Sequence, residues 1–387
     1  MKRSGKAPLA PVVFFFAGAL CLSAGPLLSQ ETDFRGQVSG ELAIPFESGR
    51  RVPLRVRYLP QFSLKTPVSA SWNFDIEASV NASLTLDAAS GWGSRKGDLA
   101  LYRLWARLTT ARFEARLGLQ KIEFGSARLL RPLMWFDRLD PNDPLQLTDG
   151  VTGLLLKYTF QSNVSVWAWG LTGNNDRKGW ESFPTRAGTI ECGGRAQVPA
   201  LGGELAVTFH RRSLDAFRGP LPLASDERSG VPESRLGLDG YWDLGPGLWF
   251  EAVFTKQDFQ VFPFRHQKAV NLGVENTFGL GNGLTLLAEH LLFQSSPRFW
   301  ERGTSRSLSA LSLDYPLGLL DRLRVMVFRD WTGRDWYRLL TWQRTYDRLS
   351  LNVIVFWNPD SYGLYGDPAA VNLFGGRGVY LMVAWNH

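Results

Sequence analysis

The residues of this 387-residue chain that could do chemistry are mostly charged, and they recur at alternate positions. Arg51, Arg55 and Arg57 lie in one alternating stretch, Arg103 and Arg107 in a second, and Arg112 and Arg116 in a third. Residues two apart share one face of a β-strand, so neighbouring strands can stack these side chains into a ladder of fixed positive charge. The segment from Lys121 to Gly150 then supplies Glu123, Asp137, Asp140, Asp143 and Asp149. A basic ladder opposed by carboxylates creates a transverse field, which orients and selects charged or polar solutes without making or breaking bonds. Plain ion pairing within a wall competes with this reading. Simple hairpin registers set Arg57 opposite Glu77 and Arg107 opposite Glu114, and opposite charges across strands are ordinary sheet stabilisers.

Bond-making chemistry has less support. None of His210, His266, His290 and His387 sits in an H-x-S arrangement, since His210 is followed by Arg211, Arg212 and Ser213. Only a triad assembled across distant strands could supply a nucleophile and base, so no enzyme is expected. Asp137, Asp140 and Asp143 could suggest a hard cation held by carboxylate oxygens. Pro141 and Pro144 beside them make turn formation the simpler explanation, and no metal or cofactor is expected. Cys21 and Cys192 are the only cysteines, and Cys21 falls in the leader described next. No disulfide is therefore expected.

The elements that must position these residues are strands. Lys2, Arg3 and Lys6 precede an apolar run from Leu9 to Leu28 broken by Pro26, the charged and apolar regions of a secretory signal peptide. Residues 1–30 are read as that cleaved segment, with the mature chain starting between Gly25 and Glu31. Beyond it no stretch approaches the length of a spanning helix, and mean hydropathy is −0.13. A membrane protein of such composition must be a barrel, because alternating strands hide their apolar half from a hydropathy window. Three of the positive charges behind the formal +7 lie in the leader, which leaves a weakly basic chain and argues against a nucleic-acid partner.

The clearest strand is 70–87, where Trp72, Phe74, Ile76, Ala78, Val80, Ala82, Leu84 and Leu86 alternate with polar residues. Similar alternation predicts strands near 33–44, 50–65, 99–109, 112–121, 151–160, 164–173, 188–198, 203–212, 233–243, 247–258, 269–278, 283–294, 305–315, 321–330, 335–345, 348–358 and 377–386. Links on one side are short, such as Thr110–Ala111 and Tyr346–Asp347; those on the other are long, notably 88–98, 122–150, 174–187 and 213–232. That asymmetry, with an even strand number, is the signature of an outer-membrane barrel. Near the C-terminus Val379, Leu381, Val383 and Trp385 alternate towards an aromatic residue, although Asn386 and His387 follow it.

Parity turns Arg103, Trp105 and Arg107 inward if Leu104, Ala106 and Leu108 face lipid, and Arg112, Glu114, Arg116 and Gln120 likewise. A charge pointed at mid-bilayer costs roughly 2–4 kcal/mol. The 121–150 loop is rich in apolar anchors (Leu129, Leu130, Leu133, Met134, Trp135, Phe136, Leu139) and is expected to fold inward as a constriction. Arg116, Gly118, Gln120, Ile122, Phe124 and Gly125, then Arg131, Pro132, Asp137, Pro141, Asp143 and Pro144, form an R-x-G-x-Q-x-I-x-[FW]-G strand-to-loop pattern. It resembles that of porin-like outer-membrane barrels, including alginate-export-like ones. The resemblance covers about thirty residues and extends elsewhere only as strand pattern.

It implies an eighteen-stranded barrel conducting small or acidic solutes. The expectation is thus an all-β, single transmembrane antiparallel β-barrel over 31–387, of about 18 strands with 16 the nearest alternative, in the cell outer membrane. Passive diffusion of small hydrophilic solutes, anionic ones among them, would run past Arg55, Arg57, Arg103, Arg107, Arg112 and Arg116. Glu123, Arg131, Trp135, Asp137, Asp140 and Asp143 would line or brace the constriction. Its partners would be outer-membrane lipid, the solutes and the barrel-assembly machinery. Homo-oligomerisation stays open, because an apolar outer face suits lipid and subunit alike. The alternative is a closed barrel for envelope assembly or surface polysaccharide binding through Trp180, Phe183, Phe259, Phe262, Phe264, Trp300 and Tyr362.

Overall fold

Alternating apolar and polar residues make strands that can satisfy their backbone groups only by pairing, and here the pairing closes on itself. The computed structural model describes residues 30–47, 49–87, 95–137, 144–219, 230–360 and 374–387. Residues 1–29 of the expected signal segment, Asp140, Asp143 and Tyr362 lie outside them. The strands are β1 (Glu31–Pro45), β2 (Pro53–Pro67), β3 (Asn73–Asp87), β4 (Arg95–Thr109), β5 (Phe113–Gln120), β6 (Val151–Thr159), β7 (Ser165–Leu171), β8 (Glu191–Ala200) and β9 (Gly203–Asp215). A 3-10 turn, Ala216–Arg218, follows β9. The chain continues with β10 (Gly230–Asp243), β11 (Gly247–Gln257), β12 (His266–Phe278), β13 (Leu284–Ser296), β14 (Thr304–Pro316), β15 (Asp321–Asp330), β16 (Trp336–Thr345), β17 (Leu349–Trp357) and β18 (Arg377–Asn386).

Each strand pairs antiparallel with its sequence neighbours, and β1 pairs with β18 from Gln37↔Asn386 to Pro45↔Gly378. The result is a closed 18-stranded up-and-down barrel with no free sheet edge. The two residues after Trp385 help to seal it. Gln37 Nε2 donates to Asn386 Oδ1 at 2.9 Å, Gly36 and His387 exchange backbone hydrogen bonds at 3.0 Å, and the His387 ring stacks on Tyr58.

The wall has two faces. Leu117, Leu154, Leu236, Leu272 and Leu292 point outward and are exposed, while Gln120, Leu155, Arg235, Asn271 and Leu291 point inward and are buried. Such an exposed apolar face is suited to hydrocarbon. A bulge at Tyr102 shifts the β3–β4 register between Ser79↔Arg103 and Val80↔Leu101. The extra residue keeps Arg103 and Arg107 inward while Leu99 and Leu101 stay outward. The interior is also two-sided. Inward positions of β8–β13 are rich in charge, whereas β14–β18 bury Leu308, Met326, Phe328, Ile354, Phe356 and Tyr380.

Two hairpin registers differ from expectation. The β2–β3 turn is displaced towards Val68–Trp72, so Arg57 faces Ser83 and Glu77 faces Ser63. In the β4–β5 hairpin Arg107 faces Arg116, and Glu114 faces Thr109. A turn that moves by a few residues slides every pair beyond it, without changing which residues face inward when the slip is even.

Candidate functional site

The longest connection of the barrel, between β5 and β6, leaves the wall and crosses the interior. At its root Gln120 is fully buried, and its amide nitrogen donates to the Arg116 and Gly153 carbonyls at 3.1 and 3.0 Å. The loop reaches β11–β13, six to eight strands away around the barrel. There two buried carboxylates receive it. Glu251 on β11 accepts the backbone N–H of Ala127 at 2.8 Å and of Leu133 at 3.0 Å. Glu289 on β13 accepts those of Arg128, Leu129 and Leu130 at 2.6, 3.1 and 2.5 Å. Between them, Asn271 Nδ2 on β12 donates to the Leu130 carbonyl at 2.8 Å.

Three consecutive N–H groups converging on one carboxylate form an anion-binding nest, and charge-assisted bonds of this kind are stronger than neutral ones. Gly125 allows the approach. Its φ is +89°, and an added Cβ would lie 2.3 Å from Glu251 Oε1.

Apolar contacts complete the latch. Phe124 stacks on Trp169 of β7 at 5.8 Å and meets Trp135 and Phe136 edge-on at 5.6 and 5.8 Å. Leu130, Leu133, Trp135 and Phe136 are buried against wall residues such as Trp249, Val253 and Leu291. The β7–β8 connection grips the loop from its other side, with Trp180 Nε1 donating to the Arg131 carbonyl at 2.9 Å and Gly179 N to that of Asp137 at 2.8 Å. The neck is closed by Asp137, whose Oδ1 accepts Gly150 N at 2.7 Å. Burial pushes the Asp137 carboxyl up to about 6, against the Gly150 N–H and the positive charges of Lys178 and Arg103.

The residues expected at this site divide into groups. Arg103 is buried and spans from β4 to the end of the loop, donating to Thr148 O and Oγ1 at 3.0 and 2.6 Å. Arg55 and Arg57 share Glu41 of β1 at 3.4 and 3.3 Å. Arg107 pairs with Asp75 at 2.7 Å and Arg116 with Glu114 at 2.8 Å, and their guanidiniums lie over the Trp105 ring at 5.5 and 4.9 Å. These partners replace the Arg57–Glu77 and Arg107–Glu114 pairs that hairpin counting suggests. Arg112 is exposed in the short turn before β5, at the end of the barrel away from the long loops.

Within the loop, Glu123 pairs with Lys121 and with Arg131, the latter at 2.6 Å. Burial alone would raise its carboxyl, but these two cations hold it below the ordinary range. Glu123 and Asp137 are thus engaged by their own loop and its neck. Trp135 is a buried brace, and its ring lies 5.7 Å from the Arg235 guanidinium.

The charged network beside the latch was not singled out from sequence. On β9 and β10, Arg212 Nε meets Glu233 at 2.6 Å and Arg235 Nη2 meets Glu181 at 2.6 Å, while Gln257 donates to Glu233. Arg195 grips Asp239 with both terminal nitrogens, at 2.6 and 2.8 Å. His210 has both ring nitrogens engaged, by Trp169 Nε1 at 3.2 Å and Glu191 Oε2 at 3.1 Å. A donor on Nδ1 and a carboxylate on Nε2 suit the neutral Nε2–H tautomer and leave no ring nitrogen for activating a nucleophile. Strand parity was the available signal for all these inward residues. The loop aromatics proposed for polysaccharide binding are partly withdrawn from solvent, because Phe183 and Phe259 are buried together with Leu214 and Val231.

No protein-family model matches the chain, and no curated protein matches it. Solved structures do. OpdQ of Pseudomonas aeruginosa is 11% identical at a TM-score of 0.57, with 92% of this chain and 99% of that one covered. OccAB1 of Acinetobacter baumannii is 10% identical at 0.56, covering 94% and 97%. OccK5 (OpdH) of P. aeruginosa is 14% identical at 0.54, covering 94% and 99%. At such identities the likeness is one of fold, that of the outer-membrane porin barrel.

Proposed function

We propose that the chain is an outer-membrane channel through which small hydrophilic solutes diffuse passively, with the 121–150 loop setting the constriction. The observation that carries this reading is a folded loop pinned across the inside of a closed barrel by Glu251 and Glu289. A barrel of this strand number encloses more space than wall side chains fill, and an internal loop is the means by which such a space is narrowed. Signal-directed export and the barrel-assembly machinery would deliver it to the membrane, where outer-face strands meet lipid or a second copy.

An anion preference follows from the charge count near the loop root. Arg55 and Arg57 divide one carboxylate, and Arg103 is held by a threonine. Pore-facing positive charge is thereby in excess on β2–β4, which favours organic acids or acidic sugars as solutes. The motif resemblance to alginate-export-like barrels points the same way.

The test is single-channel conductance of the refolded mature chain in a planar bilayer, with reversal potentials in a salt gradient. Open channels with anion preference that falls in Arg55→Ala/Arg107→Ala are the expected result. A folded barrel that passes no current sinks the channel reading. Unchanged selectivity in the variant returns these arginines to wall pairing alone.

A further inference from the structure

One cluster of polar residues lies on the wrong side of the wall for a pore. On β15 the inward positions are Met326, Phe328 and Asp330, all buried, so Val327 and Arg329 face outward. On β16 Tyr337 and Leu339 are buried, which leaves Trp336 and Arg338 outward. The ladder places Leu272, His290, Ser309, Arg329 and Trp336 in one transverse row over β12–β16. Small side chains, Ser309 in this row and Ala288 in the next, leave an external groove of about 600 Å³ whose apolar floor includes Leu272, Leu311 and Val327.

The polar groups of this groove are organised. Ser309 Oγ accepts from Trp331 Nε1 at 2.9 Å and lies 2.8 Å from His290 Nδ1, while His290 Nε2 lies 3.3 Å from Ser307 Oγ. The Arg329 guanidinium lies over the Trp331 and Trp336 rings, at 5.5 and 4.9 Å, and that of Arg338, beside the groove, lies over Trp336 at 5.6 Å. Arg329 Nη1 donates to the Arg334 carbonyl at 2.6 Å, and its Nε is buried without a hydrogen-bond partner. The nearest acid in sequence, Asp330, points inward to Arg306. Neither Arg329 nor Arg338 forms an ion pair with a carboxylate among the described residues.

We propose that this groove binds the phosphorylated headgroup of a glycolipid of the outer leaflet, with acyl chains lying along the apolar wall below. The proposal rests on the outer-membrane reading above. Arg329 and Arg338 lie at the long-loop end of their strands, and tryptophans at that height mark the membrane–water interface. A cation there is close to anionic headgroups, and the penalty for an outward charge is smallest. Two guanidiniums held by aromatic rings and lacking carboxylates match a phosphate, which they can engage through several N–H donors. The apolar floor suits fatty chains and gives a free phosphate ion nothing to bind.

Native mass spectrometry of the full mature barrel in detergent, titrated with lipid A bearing both phosphates or with its phosphate-stripped form, tests the assignment. The phosphorylated lipid should be retained at least tenfold more strongly, and Arg329→Gln/Arg338→Gln should remove that difference. Arg211→Gln, an exposed arginine outside the groove, should not. Arg338→Gln alone alters an exposed side chain and should give an intermediate loss should the double variant fail to fold.

Equal retention of the stripped lipid, or wild-type retention in the variants, overturns the proposal. So does a variant whose lost property is self-association, since the groove would then receive a second copy. Conductance of the same preparations separates the two readings: lipid retained without current sinks the channel alone, and current without lipid selectivity sinks the groove alone.

Discussion

Glu289→Ala is the sharpest perturbation of the latch. It removes the acceptor of three backbone N–H groups, those of Arg128, Leu129 and Leu130. An orphaned buried donor costs about 1–3 kcal/mol, so the latched loop loses roughly 3–9 kcal/mol before it relaxes. At 1.4 kcal/mol per decade, the lower figure already shifts the latched-to-released ratio by about a hundredfold. The barrel ladder makes no use of this side chain, so the heat-modifiable migration of the folded barrel should persist. Single-channel current should rise and become noisy, and trypsin should cut after Arg128, since Pro132 protects the bond after Arg131. Glu289→Gln keeps one acceptor oxygen but turns an amide donor towards a backbone donor, and should fall between wild type and alanine. If the alanine variant keeps both its protease resistance and its conductance, the carboxylate is not the latch and the aromatic packing of Phe124, Trp135 and Phe136 holds the loop unaided.

Asp137 predicts a pH dependence. An acid raised to about 6 by burial favours the closed neck when protonated; that contribution is complete below 3.8, the ordinary value, and is lost as pH rises through about 6. Lys178 and Arg103 limit the effect, and Asp149 reinforces it. Conductance should therefore increase from pH 4 to pH 7, and Asp137→Asn should flatten the slope; an unaltered slope assigns it elsewhere. Gly179→Ala tests the outer grip, because its φ is +44° and a Cβ would meet Met134 O at 2.0 Å. The expected outcome is a loop as cleavable as in Glu289→Ala, with resistance to trypsin counting against the grip. Arg212→Met leaves Glu233 and Glu181 short of a buried partner and should cost about 3–5 kcal/mol, read as a lowered melting transition of the barrel. A melting temperature equal to wild type would show that Arg235 and Gln257 are sufficient partners.

The sequence alone determines the wall. Period-two alternation states which residues of each strand share a face, and turn signals state where strands end, so the strand count, the loop asymmetry and the inward placement of Arg55, Arg57, Arg103, Arg107 and Arg116 follow from local pattern. The inward folding of the 121–150 loop is also legible, since Leu130, Leu133, Trp135 and Phe136 are too apolar to stay in water. What holds that loop is decided only by tertiary structure. Ala127 and Glu251 are 124 residues apart, and Leu130 and Glu289 are 159 apart. Whether they meet depends on barrel closure, on the accumulated register of every hairpin between them and on a path across the interior. None of these leaves a mark in local periodicity. The same reason explains the misplaced ion pairs: alternation conserves the face through an even slip, but the identity of the residue opposite Arg57 or Arg107 changes with every two residues that a turn moves.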